Sequence, residues 1–226
     1  MPADAGTPRI IELEDQTLAL FPLYEDRFDT LSSDWTPEGG ALLSLSGGRL
    51  YINAARERLH FCTLWCARRF DGDTLVEYTA RVEKGDGHTN INFFLFGSNP
   101  DGSPPLVNSR ERTGDYGEYH LMHNYIFTFL NDLPPGSRNE KARIRFRKNP
   151  GFRLLAETWR SPVEKGRDYR FAVAVQGARM RFYVDGAAVF DYMDDDAPIR
   201  GGWHAFRTWK THMSASLFRV SRILQK

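Results

Sequence analysis

Cysteine is scarce: Cys62 and Cys66 are the only two in 226 residues. On a strand, side chains four apart share a face but lie about 13 Å from one another, too far for a disulfide. Two thiols also fall short of a zinc ligand set, and no other spacing here is diagnostic of a metal. Both are read as packed, unpaired thiols, and neither a metal nor another cofactor is expected. Long apolar runs are missing as well, since no stretch approaches the roughly 18 residues of a membrane helix. The first sixteen residues are acidic and proline-bearing, without the apolar centre of a signal peptide. The expectation is a soluble, cytoplasmic chain with no membrane partner. An excess of either charge is absent too: 30 basic residues face 29 acidic ones, a net charge of +1. Such a balance supplies no global field to draw in phosphates, which argues against a nucleic-acid partner. No helical period outlasts a turn or two, and no repeat is visible.

What remains is rich in aromatics, 13% of the chain, within an apolar share of 41%. Residues 74–82 and 142–147 alternate cleanly, and turn-forming Gly, Pro, Asn and Asp punctuate the rest. About twelve to fourteen short strands between turns predict an all-β sandwich or jelly roll of two antiparallel sheets. Residues 1–20 read as an extended arm and 21–226 as one domain, with no linker to divide it. Two strands are lopsided. In residues 88–96, Ile91, Phe93 and Leu95 form the packed face, so His88, Asn90 and Asn92 look at something polar. In residues 142–147, Arg143, Arg145 and Arg147 lie opposite Ala142, Ile144 and Phe146. This basic stripe suits carboxylate recognition or, alternatively, a solvated convex face.

The late features have a recognisable order: Val-Asp-Gly-x-x-Val-Phe at 184–190, Gly-Gly-x-x-x-Phe-Arg-x-Trp at 201–209, and Ser-Leu-Phe-Arg-Val at 216–220. This resembles the C-terminal half of concanavalin A-like lectin/glucanase jelly rolls. In those the closing strand pairs with one near the N-terminus, here residues 23–28. The run Arg-Thr-Gly-x-Tyr-Gly-x-Tyr-His at 112–120, with residues 64–66 and 147–152, is similar to the bacterial YesU-like family of unassigned function. Members occur among genes for degrading rhamnogalacturonan, a polymer of rhamnose and galacturonate. The resemblance implies a saccharide-handling role on the concave sheet of the jelly roll.

Residues 113–129 hold the densest mixture of aromatic and polar groups in the chain. Read as a strand, they divide by parity. Tyr116, Glu118, His120 and Asn124 present toward a groove, while Tyr119, Leu121, His123, Tyr125 and Phe127 pack inward. In the closing region Trp203, Arg207 and Trp209 share a face, with His204 structural. Planar amides, imidazoles and guanidinium forks satisfy paired sugar hydroxyls, and aromatic rings stack on sugar C–H faces. The expected ligand is an oligosaccharide containing uronate, with Asn90, Asn92, Asn124, Arg147, Trp203, Arg207 and Trp209 as binding residues. The paired-carboxylate motif Glu-x-Asp-x-x-Glu of glycosidases on this fold is absent. For β-elimination from a uronate, His120 or His88 would be the base and Tyr116 the acid; Glu118 is the other catalytic candidate. An enzyme, lyase or hydrolase, and a non-catalytic glycan-binding module both remain open at this point, as does the oligomeric state.

Overall fold

The computed structural model describes residues 8–30, 32–55, 60–85, 87–131, 142–159 and 162–224. Most of the expected turn at 131–139 lies outside them. Sixteen strands run through these residues and form two antiparallel sheets. In the smaller sheet the order is β11 (Arg153–Thr158), β10 (Ala142–Asn149), β9 (His123–Asn131), β8 (Asn90–Ser98), β15 (Gly201–Trp209), β6 (Phe61–Asp71) and β3 (Trp35–Gly39). The larger sheet runs β1 (Arg9–Glu12), β2 (Thr17–Asp26), β16 (His212–Ile223), β7 (Thr74–Val82), β12 (Tyr169–Gln176), β13 (Arg179–Val184) and β14 (Ala187–Met193). Its hairpin β4 (Leu42–Ser46) and β5 (Arg49–Asn53) joins through β5 to β16.

Local sequence accounts for these elements. Along β7, Val76, Tyr78, Ala80 and Val82 are buried while Glu77, Thr79 and Arg81 are only partly so, the period of two that one packed face imposes. The β4–β5 turn uses Gly47 and Gly48 at φ of +56° and +66°, the left-handed pair a tight hairpin needs. The closing strand pairs with the N-terminal one as expected, Val220 opposite Tyr24 and Phe218 opposite Asp26. The expected arm is partly built into the fold: β1 and the first half of β2 pair with each other, Arg9 opposite Leu20. Its apolar alternation, Ile11 and Leu13 against Leu18 and Leu20, covers the outside of the larger sheet.

Between the sheets lies an aromatic core. Tyr78 stacks on Phe93 at 4.7 Å and on Phe171 at 4.8 Å, and Phe127 lies parallel to Phe182 at 5.1 Å. Cys62 and Cys66 are buried in it as free thiols, and burial raises both pKa values to about 12. One parity assignment needs correction here. Strand alternation would put Phe96 on the outer face with His88, Asn90 and Asn92, but it turns into the core at φ +56°, where the β8–β9 register also breaks.

Candidate functional site

The outer face of the smaller sheet carries three cross-strand rows. The first contains Arg143, Leu130 and Asn90, register partners in sequence, then Trp209 and Phe61. Asn90 is tied to Trp209 directly: the Trp209 N–H donates to Asn90 Oδ1 at 3.2 Å, and Asn90 Nδ2 donates to the Trp209 carbonyl at 3.3 Å. The second row is polar: Arg145, Thr128, Asn92, Arg207 and Thr63. The third is apolar after its first member: Arg147, Ile126, Phe94, Ala205 and Trp65.

The β8–β9 connection folds down over that third row. Tyr119 lies 5.2 Å from Phe94 and 6.4 Å from Trp65, and with Met122 and Trp203 it joins a separate buried cluster. The connection is anchored by charge. Arg112 holds Glu38 through Nε and Nη2, and Tyr119 donates to the same carboxylate at 2.7 Å. Close backbone approach completes the seam. A Cβ on Gly39 would fall 2.3 Å from the Phe61 carbonyl oxygen, and one on Gly114 would meet the Gly39 Cα at 3.1 Å. Covering one half of the face leaves the other half as a groove of about 430 Å³, with Tyr116 and Phe152 as its wall.

Four arginines line this groove, Arg143, Arg145, Arg147 and Arg207, beside His88, Asn90, Asn92, Thr128 and Trp209. Among the described residues that line it there is no carboxylate. Arg207 is the most enclosed, at 3% exposure. Its Nη2 donates to the Gly114 carbonyl at 3.1 Å, its guanidinium lies 4.2 Å from the Tyr116 ring centre, and its buried Nε has no hydrogen-bond partner among the described residues. Burial pulls its pKa down, against the opposing pull of Tyr116, Tyr119 and Asp115. Arg147 donates to the Phe152 carbonyl at 2.9 Å and lies over that ring at 4.1 Å. Arg143 reaches Glu157 at 3.6 Å, on the rim. His88 packs against Trp209 at 4.7 Å; burial, then Lys210 and Lys165, lower its pKa and hold the imidazole neutral near pH 7.

The structure brings together His88, Asn90, Asn92, Tyr116, Arg147, Arg207 and Trp209 from the expected set. Four expected residues fall elsewhere: Glu118 and His120 because residues 116–119 form a 3-10 turn and the strand begins only at His123, Asn124 and Trp203 because the connection covers them. Glu118 does not face the groove: its carboxylate accepts from the Thr113 N–H and hydroxyl and from the Gly114 N–H, closing the turn. His120 stands behind the wall, stacked on Phe152 at 4.1 Å, with its pKa lowered by burial and by Arg207 and Arg147. Asn124 is fully buried under the connection, accepting from Asn149 Nδ2 at 3.1 Å. Trp203 is buried beneath the far end of the connection, under Arg69 at 5.0 Å. The same turn exposes Leu121 to 73% and leaves His123 half-buried near the Pro100 carbonyl, although both were expected to pack inward. Tyr125 and Phe127 do pack inward, and His204 is structural, stacked on Phe70 at 5.0 Å with burial lowering its pKa to about 3.

Sequence reasoning undervalued Arg143 and Arg145, whose alternation was visible but whose side of the sandwich was not. Thr128, Leu130 and Asn131 were missed; Thr128 lies near the end of the stretch at 113–129, and Leu130 and Asn131 continue the strand beyond it. Phe61 and Phe152 were missed too: Phe61 reaches the rim through its register with Trp209, and Phe152 through the β10–β11 turn, where its N–H donates to Asn149 Oδ1.

A family profile matches residues 58–218, which spans every strand of the smaller sheet but β3. The chain belongs to the DUF6250 family, a domain of unknown function. No curated protein matches the sequence. Among solved structures, a Bacillus subtilis protein of unknown function with a galectin-like fold is similar at 22% identity and a TM-score of 0.78, covering 91% of this chain and 97% of its own. The endo-β-1,3-glucanase of Pyrococcus furiosus is similar at 13% identity and 0.60, covering 97% and 100%. The carbohydrate-binding module CBM66 of Bacillus subtilis follows at 12% and 0.53, covering 84% and 93%. At these identities the likeness is one of fold: DUF6250 here is a jelly roll of the galectin and glucanase type.

Proposed function

We propose that this DUF6250 domain binds an acidic oligosaccharide in the groove, a uronate-bearing plant cell-wall fragment such as one from rhamnogalacturonan. One observation carries the reading: four guanidinium groups converge on a space whose described lining holds no carboxylate. Arg207, 3% exposed and hydrogen-bonded to the Gly114 carbonyl rather than to a carboxylate, calls for a counter-charge, and a planar fork fits a carboxylate in two parallel bonds. The amides of Asn90 and Asn92 and the ring of Trp209 supply what neutral parts of a sugar need. The structural neighbours, one named as a carbohydrate-binding module and another as a glucanase, support a saccharide ligand. The YesU-like resemblance supports the uronate.

Residue chemistry favours elimination over hydrolysis. Glycoside hydrolysis uses two opposed carboxyl groups, and the nearest candidates, Glu118 and Glu157, are engaged in a turn and with Arg143. Elimination needs a base for the C5 proton and a cation against the carboxylate, whose charge spreads as that proton leaves. His88, neutral near pH 7, would take the proton, and Arg207 would hold the carboxylate. The C5–H electron pair becomes the C4=C5 double bond as the C4–O bond breaks. The departing oxygen takes its proton from Tyr116 or water.

Incubation with rhamnogalacturonan and uronate oligosaccharides tests both parts. The expected result is an ultraviolet-absorbing unsaturated uronate, formed at a rate that falls as pH drops below the lowered pKa of His88. Binding without new unsaturation or reducing ends would reduce the function to that of a glycan-binding module. No binding to any uronate oligosaccharide would overturn the reading.

A further inference from the structure

The first cross-strand row does not stop at Arg143. In the β10–β11 register Ile144 pairs with Thr158 and Arg145 with Glu157, so the next position, Trp159, falls beside Arg143. The contact is present: the Arg143 guanidinium lies 5.2 Å from the Trp159 ring centre. Trp159 is 51% exposed, and Trp209, four strands away in the same row, is 36% exposed. Both rings keep substantial exposed area on one face of the sheet, on either side of Asn90, Leu130 and Arg143. From β11 to β15 there are four inter-strand spacings, so the two rings stand roughly 19 Å apart.

We propose that the ligand is a chain, longer than a disaccharide, lying across the strands from Trp209 to Trp159, with Trp159 as an outlying stacking subsite. The inference rests on the acidic-saccharide reading of the groove and adds to it the direction and reach of the ligand. Between the two rings the chain passes Asn90, Leu130 and Arg143, with the second-row side chains Arg145, Asn92 and Arg207 alongside. An acidic group on the unit at the Trp209 end therefore meets Arg207, two residues along the same strand, while one nearer the Trp159 end meets Arg145. Short ligands fill the Trp209 end, where the amides and the buried guanidinium are, and gain nothing from the far ring.

Affinities of a uronate disaccharide and a uronate hexasaccharide, measured by calorimetry for wild type, Trp159→Ala and Trp209→Ala, separate the possibilities. Trp159→Ala should weaken the hexasaccharide about tenfold and leave the disaccharide unchanged. Trp159→Phe should recover most of the loss, and Trp209→Ala should weaken both ligands. Unchanged hexasaccharide affinity in Trp159→Ala would overturn the subsite, as would an equal loss for both lengths. Failure of the wild type to bind either length would overturn the acidic-saccharide reading and the subsite with it.

Discussion

Replacing Arg207 with methionine should nearly abolish binding of acidic oligosaccharides while leaving the domain folded and no less stable. Removing one partner of a buried charge pair costs a complex about 2–5 kcal/mol, or roughly 30-fold to several-thousand-fold in affinity. Arg207 should lie high in that range, because it is 3% exposed and its only side-chain hydrogen bond among the described residues goes to the Gly114 carbonyl. In the free protein the sign reverses. A guanidinium buried without a carboxylate is held at a cost, shown by the downward pull of burial on its pKa. Exchanging buried charge for apolar volume is commonly neutral or stabilising, by about 1–4 kcal/mol. Arg207→Lys should keep the charge but lose the fork, and so recover little affinity. Calorimetry with a uronate ligand and thermal melts of the free variants check the two signs together. Weaker binding accompanied by an equal loss of stability would mean that Arg207 merely props up the fold.

Arg112→Met should have the opposite profile, a large loss of stability with loss of binding as its consequence. It strands the Glu38 carboxylate, whose side chain is fully buried and whose remaining side-chain partner among the described residues is the Tyr119 hydroxyl. Breaking a buried pair from one side costs about 3–5 kcal/mol, a melting point lower by roughly 6–20 °C in a domain of this size. Binding should weaken because the anchored connection also supplies the Gly114 carbonyl and the Tyr116 ring that hold Arg207. Adding Glu38→Gln removes the stranded charge yet keeps an acceptor for Tyr119, so the double variant should regain most of the stability. A double variant as unstable as Arg112→Met alone would refute the role given to the pair.

The contrast between these two arginines shows what could be read before the coordinates. The strands were legible because one packed face imposes a period of two, as in β7 and β10, and the polar side of β8 followed from Ile91, Phe93 and Leu95. Parity also grouped Arg143, Arg145 and Arg147, but it could not say which surface of the sandwich they occupy. That depends on β10 lying between β9 and β11 in the smaller sheet, a long-range fact. The stretch at 113–122 was misread for a local reason. Its polar residues satisfy a 3-10 turn, with Asp115 accepting from the Gly117 N–H and Glu118 from Thr113 and Gly114, and a capped turn has no strand parity. Asn124 and Trp203 sit at correct strand positions and are hidden only because the connection folds over them.

Legible or not, the decisive groups are the arginines, and the most direct test exploits their charge. The wild-type domain would be titrated with a uronate hexasaccharide and with its fully methyl-esterified form, which keeps the sugar rings and removes the carboxylates. Losing charge-assisted hydrogen bonds worth about 1.5–3 kcal/mol each should weaken the ester by at least about tenfold. Equal affinity for acid and ester would contradict the account.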